Sequence, residues 1–268
     1  MSTVKIGGER YSHNVTQPVI IFVVILSEVQ EPKCLTHQGF RGVVTPSANN
    51  RISMYSMLPQ PLPFSIDYFR QLAALGEKFQ ITNRQGKSLS ISEGINRAAD
   101  LVHQQNQLQR KVMFIGNGGS ASVASHQAVD YWRNGNIRAI AFNDSASLTA
   151  VSNDFGYEQV FSKPISLFAQ SGDILFAISS SGQSANILAG VRQAIEMDCQ
   201  VITLSAFQAN NPLRQLGDLN FYVPTMSYGF AEIMHLCICH CIIDGLVKGT
   251  LPSSDKDSSL SIAEDEAS

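Results

Sequence analysis

Two segments of this 268-residue chain contain residue types suited to holding an anion. In MFIGNGGSAS (113–122) and LFAISSSGQSAN (175–186), an apolar run enters glycines and serines ahead of a predicted helix. Backbone N–H groups in such a turn approach an anion at the positive end of the helix, and serine hydroxyls add donors. Because two turns share this design, the sequence favours a phosphate site over tight turns of purely structural origin.

The first turn also matches part of a dinucleotide-binding pattern. Gly116, Gly118 and Ala121 fit G-x-G-x-x-A. The acidic residue that should follow about 20 residues later, at the end of the next strand, is not well placed, since Asp144 comes beyond IRAIAF. A P-loop requires a lysine before Ser or Thr, and neither turn contains one. Both nucleotide alternatives are therefore weaker than a phosphate ester.

Acids and histidines on two predicted helices form a second group of candidates. His126 and Asp130 are four residues apart and share one helix face. Glu232 and His240 lie within about 80° of each other around the last helix, whereas His235 lies about 140° from His240. Acid–histidine sets transfer protons and bind metals such as zinc. A histidine on an apolar helix is also a common core residue, so the spacing leaves both roles open.

The elements that must position these residues alternate between strand and helix. Predicted helices separate five apolar runs: 111–115, 137–142, 173–178, 200–204 and 219–223. The alternation predicts an α/β fold, a three-layer doubly wound five-stranded parallel sheet. Two helices precede it, the second with Ser90 and Glu93 as a capping box, and a long helix over about 228–248 closes the domain.

Regular patterning occupies only the middle of the chain. The sequence predicts a domain at 64–250, an N-terminal extension at 1–63, and a disordered acidic, serine-rich tail at 251–268. The apolar run 18–26 has nine residues, whereas a membrane-spanning helix needs about 20. No small-residue cleavage signal follows that run, so we do not expect export.

Composition and charge exclude several classes of function. The net charge is −3 and 15% of residues are charged, which argues against nucleic acid and membrane partners. The five cysteines show no paired spacing, so we expect a reducing, cytoplasmic compartment and no disulfide framework. Residues 237, 239 and 241 point in different directions around a helix and do not converge on a metal. These features favour a site for a small molecule.

Four motifs, in this order, resemble the SIS (sugar isomerase) domain family and, within it, the phosphoheptose isomerase group. The motifs are GNGGSASVASH, SNDFGYEQVF, ISSSGQSANI and VITLS, and the resemblance runs from about Ser65 to Lys248. It implies a flavodoxin-like SIS domain that works as a homotetramer with sites at subunit interfaces. It also implies conversion of sedoheptulose 7-phosphate to D-glycero-D-manno-heptose 7-phosphate, for bacterial lipopolysaccharide or capsule.

The resemblance implies roles for individual residues as well. Those implied to bind the phosphorylated sugar are Asn117, Gly118, Gly119, Ser120, Asn153, Asp154, Ser179, Ser180, Ser181, Ser184 and Glu232. Those implied to bind Zn²⁺ are His126, Asp130, Glu232 and His240. Asp130 and His240 are the implied catalytic pair, acting through an enediol. Family members usually have glutamate at the position of Asp130, glutamine at that of Glu232 and aspartate at that of Gly229.

Two other functions stay open at this point. Some SIS relatives are non-catalytic regulators or scaffolds that bind a sugar phosphate, and an isomerase of this type could act on another sugar phosphate. All four positions of the implied metal-binding set keep groups capable of ligation or proton transfer, which favours an enzyme over a scaffold.

Overall fold

The computed structural model describes residues 62–249. Most of the predicted N-terminal extension, with the apolar run 18–26, and the predicted tail 251–268 lie outside the described residues. The helices are α1 (Phe64–Leu75), α2 (Ile91–Gln107), α3 (Gly119–Gly135), α4 (Ser145–Phe155), α5 (Ser162–Phe168), α6 (Ala185–Glu196) and α7 (Tyr228–Lys248). The strands are β1 (Gln80–Asn83), β2 (Ser88–Leu89), β3 (Val112–Gly116), β4 (Ala139–Ala141), β5 (Ile174–Ser179), β6 (Gln200–Ser205) and β7 (Leu219–Tyr222).

These strands form one mixed sheet in the order β2-β1-β7-β6-β5-β3-β4. The five predicted strands, β3 to β7, are parallel neighbours, so the predicted parallel core is confirmed. Renumbered in chain order they read 2-1-3-4-5, the flavodoxin-like arrangement.

The predicted strand count of five was wrong, because β1 and β2 extend the sheet. They form a hairpin in which β1 also pairs antiparallel with β7. Their residues are mostly polar, with one buried apolar residue in each strand, Ile81 and Leu89, so they show no apolar run from which a strand is predicted.

Helices cover both faces of the sheet, since side chains alternate between the faces along each strand. Phe114 and Phe176 belong to a buried cluster with residues of α2, α3 and α7, whereas Met113 and Leu175 belong to a second cluster with residues of α5 and α6. Burial of each such side chain contributes about 1.5–3 kcal/mol. The predicted three-layer architecture is therefore confirmed.

The direction in which successive strands are added changes between β4 and β5. Strand β4 lies at one edge of the sheet beside β3, and the chain then returns to place β5 on the other side of β3. The helices that follow β3 and β5, α3 and α6, consequently pack on opposite faces. The turns between strand and helix diverge here, at the carboxyl ends of the strands, where open α/β sheets bind ligands.

Two side-chain caps set the starts of the helices that flank the domain. Ser90 Oγ accepts a hydrogen bond from the Glu93 backbone N–H at 3.2 Å, which is half of the predicted capping box. The Glu93 carboxylate accepts instead from Arg97 at 2.8 Å. Ser227 Oγ caps α7 by accepting from the Phe230 N–H at 3.4 Å.

Helix α7 is long and apolar enough to cross a membrane by length and composition alone. In the fold it packs against α2 and α3, and Met234, Ile238 and Ile242 along it are almost fully buried in the core cluster. These contacts make it a central helix of the domain, and its length lets it carry residues to two separate places along α3.

Candidate active site

The two predicted anion-binding turns face one pocket at the switch point of the sheet. A cavity of about 230 Å³ lies between the turn after β3, the turn after β5 and the first turn of α7. It is lined by Asn117, Gly118, Gly119, Ser120, Ile178, Ser179, Ser180, Ser181, Ser184, Tyr228 and Glu232. Sequence reasoning missed Ile178 and Tyr228. The latter precedes Glu232 by four residues, so helical spacing was a signal that could have found it.

Two adjacent glycines shape the first turn, Gly118 through its backbone conformation and Gly119 through the space that it leaves beside Glu232. Gly118 has φ of 54° and ψ of −123° immediately before α3, a conformation that L side chains rarely adopt. A Cβ on Gly119 would lie 2.3 Å from the carboxyl atoms of Glu232. The Glu232 carboxylate therefore lies directly over the start of α3, in space that a side chain at 119 would fill.

The second turn presents serine hydroxyls that the protein itself does not fully use. Ser179 Oγ accepts from the Gly182 N–H at 3.2 Å. Ser184 precedes α6 but makes no side-chain cap bond. Ser180 Oγ is buried and has no hydrogen-bond partner among residues 62–249. Because an unpaired buried polar group costs about 1–3 kcal/mol, this hydroxyl is suited to bind a ligand oxygen.

His126, Asp130 and His240 form a cluster between α3 and α7. Asp130 Oδ2 lies 3.2 Å from His126 Nε2 and 3.5 Å from His240 Nδ1. The two Nε2 atoms are 3.3 Å apart, and one donor atom from each residue lies within 4.8 Å of the others. The two short contacts of His240 use different ring nitrogens, so it is the nitrogen and oxygen donor types within 4.8 Å of one another that make this set suited to a metal such as zinc.

The Asp130 side chain is oriented by a further contact on its own helix. It is 8% exposed, and its Oδ1 atom accepts from Asn134 Nδ2 at 3.4 Å, which leaves Oδ2 to the two histidines. His126 is exposed and His240 is partly exposed. The cluster is therefore open to a ligand on the histidine side and closed behind the carboxylate.

Glu232 lies in the pocket rather than in this cluster, although the resemblance grouped it with the three residues. Gly119 of α3 lies against Glu232 of α7, and His126, seven residues later on α3, contacts His240, eight residues later on α7. The two helices therefore run side by side in the same direction. Eight residues of helix advance about 12 Å. The angle of about 80° between Glu232 and His240 describes only their directions around the helix axis, whereas their separation along the axis puts them in different places.

Asn153 and Asp154 lie at the end of α4 and do not line the pocket. Both are exposed, and Asn153 Nδ2 donates to Asp154 Oδ1 at 2.9 Å. The neighbouring Tyr157 approaches the pocket, since its hydroxyl donates to Asn117 Oδ1 at 3.3 Å. This tyrosine, which sequence reasoning did not single out, connects the segment after α4 to the pocket as its third segment, beside the turns after β3 and β5.

The four described cysteines are free and stand apart from the cluster. Cys239 is fully buried, while Cys237 and Cys241 are exposed, as their predicted divergence around the helix requires. Burial raises the pKa of the Cys199 thiol to about 12, with the Asp173 charge adding to the effect. Burial also raises the pKa of Cys239. Neither buried thiol is thereby suited to act as a nucleophile at neutral pH.

Fold and site together define a class of protein. A doubly wound sheet with two glycine- and serine-rich turns at its switch point, beside a histidine–carboxylate cluster, is the arrangement expected of an α/β protein that binds a phosphate ester near groups for proton transfer or metal binding.

Comparison with known proteins agrees with this class. The SIS domain family model matches residues 67–206. The phosphoheptose isomerase of Helicobacter hepaticus is 37% identical over 165 residues, covering 59% of this chain and 83% of that protein. The phosphoheptose isomerase of Shewanella denitrificans is 32% identical, with 62% and 89% covered. The solved phosphoheptose isomerase structure from Neisseria gonorrhoeae matches with a TM-score of 0.60 and 29% identity, over 69% of this chain and 97% of that one. The chain belongs to the SIS domain family and, within it, to the phosphoheptose isomerases.

Proposed function

We propose that this protein is an aldose–ketose isomerase that converts sedoheptulose 7-phosphate to D-glycero-D-manno-heptose 7-phosphate. The observation that carries the proposal is the register of α3 against α7, which places Glu232 in the pocket and His240 against His126. The two places are about 10–12 Å apart along the helices. An extended heptulose phosphate measures about 10 Å from phosphorus to C1, at roughly 1.2 Å per bond.

The phosphate would bind at the second turn, where Ser180 offers an unpaired buried hydroxyl. The start of α6 adds backbone N–H groups at a positive helix end. Glu232 lines the same pocket as the serines of this turn and would accept hydrogen bonds from sugar hydroxyls next to the phosphate end of the substrate. Side chains on both helices lean toward the helix N-termini, so the imidazoles of His126 and His240 lean toward the pocket.

Asn153 and Asp154 remain proposed substrate contacts. Their support is the bond between Tyr157 and Asn117, which holds the segment that follows α4 beside the pocket. Their exposure leaves both side chains free to turn toward a bound sugar.

Asp130 and His240 would share proton transfer at C1 and C2. One of them removes a proton from C1, the electron pair forms the C1–C2 double bond, and the other protonates the C2 oxygen to give an enediol. Return of a proton to C2 and loss of the O1 proton then produce the aldehyde at C1. Positioned acids and bases contribute about 10²- to 10⁴-fold to such steps.

The cluster is also the proposed zinc site. His126, Asp130 and His240 would hold the ion, with a further position open to a sugar oxygen or to Glu232 after its side chain moves. Bound zinc supplies Lewis-acid polarisation of the sugar oxygens. The carboxylate and the two imidazoles, with one donor atom of each within 4.8 Å of the others, would then surround the reacting end of the sugar.

We further propose a homotetramer in the cytoplasm, acting in the synthesis of lipopolysaccharide or capsule precursors. Its support is apolar surface: Phe64, Ile66 and Phe69 on α1 and Trp132 on α3 are 81%, 47%, 62% and 52% exposed. Large exposed apolar side chains grouped on a helix are typical of protein–protein interfaces. The exposed cluster histidine, His126, lies on the same helix as Trp132.

The test is turnover of sedoheptulose 7-phosphate by the purified full-length chain, with the aldose product measured directly. Asp130→Asn and His240→Gln should each abolish turnover, whereas His103→Gln, an exposed change on α2, should leave it unchanged. Turnover by both site variants would refute the catalytic assignment. Binding of the sugar phosphate without turnover by the unaltered chain would indicate a regulator, and a panel of sugar phosphates would identify a different substrate.

A further inference from the structure

The side-chain amide of Asn117 is held by a buried partner outside the pocket lining. Asn117 Nδ2 donates to Asn186 Oδ1, and Asn186 Nδ2 donates to Asn117 Oδ1, both at 2.9 Å. Asn186 is 3% exposed and lies at the second position of α6. Its Oδ1 atom also accepts from the Ile187 N–H at 3.0 Å, so its own orientation is fixed by the helix.

This reciprocal pair connects parts of the site that are distant in sequence. Asn117 belongs to the turn after β3, whereas Asn186 follows the serine turn after β5. The Tyr157 hydroxyl brings in the segment after α4 by donating to Asn117 Oδ1 at 3.3 Å. One amide therefore joins all three segments at the switch point of the sheet.

The pair also determines whether the Asn117 amide presents its oxygen or its N–H to a ligand in the pocket. The Asn117 oxygen already accepts from Asn186 and Tyr157, which uses both of its lone pairs. Only one of its two N–H groups is used, by Asn186. Asn117 can thus offer the pocket a donor and no acceptor, while Glu232, which lines the same pocket, offers acceptors when ionised.

We propose that Asn186 is a positioning residue that presents Asn117 to the substrate as a hydrogen-bond donor. The identity of the substrate, a sugar phosphate, rests on the proposed function. With Asn186 in place, the Asn117 N–H binds a sugar oxygen opposite Glu232. Without it, the amide can rotate by 180° and present its oxygen, and the two turns lose their direct side-chain link.

A double-mutant cycle tests this role. Asn117→Ala should lower kcat/KM for sedoheptulose 7-phosphate by about 10- to 30-fold and Asn186→Ala by about 5- to 10-fold, the range expected for lost hydrogen bonds. Since Asn186 acts through Asn117, the double variant should be no worse than Asn117→Ala alone. Asn220→Ala, which removes another buried asparagine that bonds Thr203 and Gly217, is the matched control and should combine multiplicatively with Asn117→Ala.

Asn186→Asp is the second variant, and it keeps the size of the side chain. A carboxylate at this position accepts from the Asn117 N–H but repels the Asn117 oxygen in either orientation of the amide, so the reciprocal pair is lost and Asn117 is no longer held with its N–H toward the pocket. We expect affinity for sedoheptulose 7-phosphate, measured by calorimetry, to fall at least as far as in Asn117→Ala. Affinity for inorganic phosphate, which uses the serine turn, should change less than about twofold. Circular dichroism checks that every variant folds, and Asn186→Ser replaces any Asn186 variant that does not.

The outcomes separate this proposal from the proposed function. If the unaltered chain binds sedoheptulose 7-phosphate but does not isomerise it, the isomerase assignment fails and the cycle is measured on binding instead. If Asn186→Ala still weakens binding or turnover in the Asn117→Ala background by its full factor, Asn186 acts independently of Asn117 and the positioning role is overturned. Equal losses for inorganic phosphate and the sugar phosphate would also overturn it, as would absence of sugar phosphate binding by the unaltered chain.

Discussion

Acidification should destabilise this protein through His235, a core residue on α7. The side chain is fully buried, and burial lowers its pKa from 6.5 to about 4. The Ser205 backbone acts in the opposite direction, but neither ring nitrogen forms a hydrogen bond of normal geometry within the described part of the chain. Cys239, one turn further along the helix, and Tyr131 of α3, which interacts with Cys239, are both buried and have raised pKa values. They are therefore neutral and supply no counter-charge.

The sign of the effect follows from proton uptake. Between pH 6.5 and pH 4 the unfolded chain binds a proton at His235 and the folded chain does not, so stability falls as the pH falls. Above pH 6.5, His235 is mostly neutral in both the folded and the unfolded chain, so it causes almost no loss of stability there. A displacement of the pKa from 6.5 to about 4 corresponds to about 3 kcal/mol in full and to about 2 kcal/mol at pH 5.

The assay is urea denaturation followed by circular dichroism at pH 7.5 and pH 5, at one fixed protein concentration because association shifts apparent stability. Between these pH values His235→Gln should lose about 2 kcal/mol less stability than the unaltered chain. His103→Gln, an exposed histidine on α2, should behave like the unaltered chain. NMR titration of the His235 ring protons measures the pKa directly if the variant does not fold. Equal acid sensitivity in all three proteins, or a His235 pKa near 6.5, would refute the reasoning.

Three further predictions concern the site. Gly119→Ala places a methyl group where the Glu232 carboxyl group lies; because that group is the end of a flexible side chain, the change should displace Glu232 and lower kcat/KM while costing less than about 1 kcal/mol of unfolding free energy, and an equal loss of kcat/KM in a Glu232→Ala background would show that Glu232 is not the group displaced. Ser180→Ala removes an unpaired buried hydroxyl, so it should keep or raise the melting temperature while weakening inorganic phosphate binding about 10-fold by calorimetry; unaltered phosphate affinity would contradict the assignment of this serine. Removal of metal with a chelator should lower turnover, added zinc should restore it, and Asp130→Asn should reduce zinc bound per chain in metal analysis; full activity of a metal-free protein would argue against a zinc requirement.

Local patterns made much of the fold predictable. The five parallel strands follow from apolar runs of five or six residues between helical segments, because strand and helix each impose a period on the side chains. The two anion-binding turns were predictable for a similar reason, since glycine and serine at a strand-to-helix junction reflect the backbone geometry of that junction. The hairpin of β1 and β2 was not, because each of these strands has a single buried apolar residue among polar ones and the hairpin joins the sheet through the pairing of β1 with β7.

The sequence by itself determined the order of the five parallel strands, the helix face shared by His126 and Asp130, and the chemistry available at each turn. Only the tertiary structure decided which of these residues meet. The packing of α3 beside α7 placed His240 in the cluster and left Glu232 over Gly119, and the pairing of Asn117 with Asn186 joined residues 69 positions apart. Periodicity gives the direction of a side chain around its own helix or strand. Distance between elements depends on how whole surfaces pack, and no local pattern contains that information.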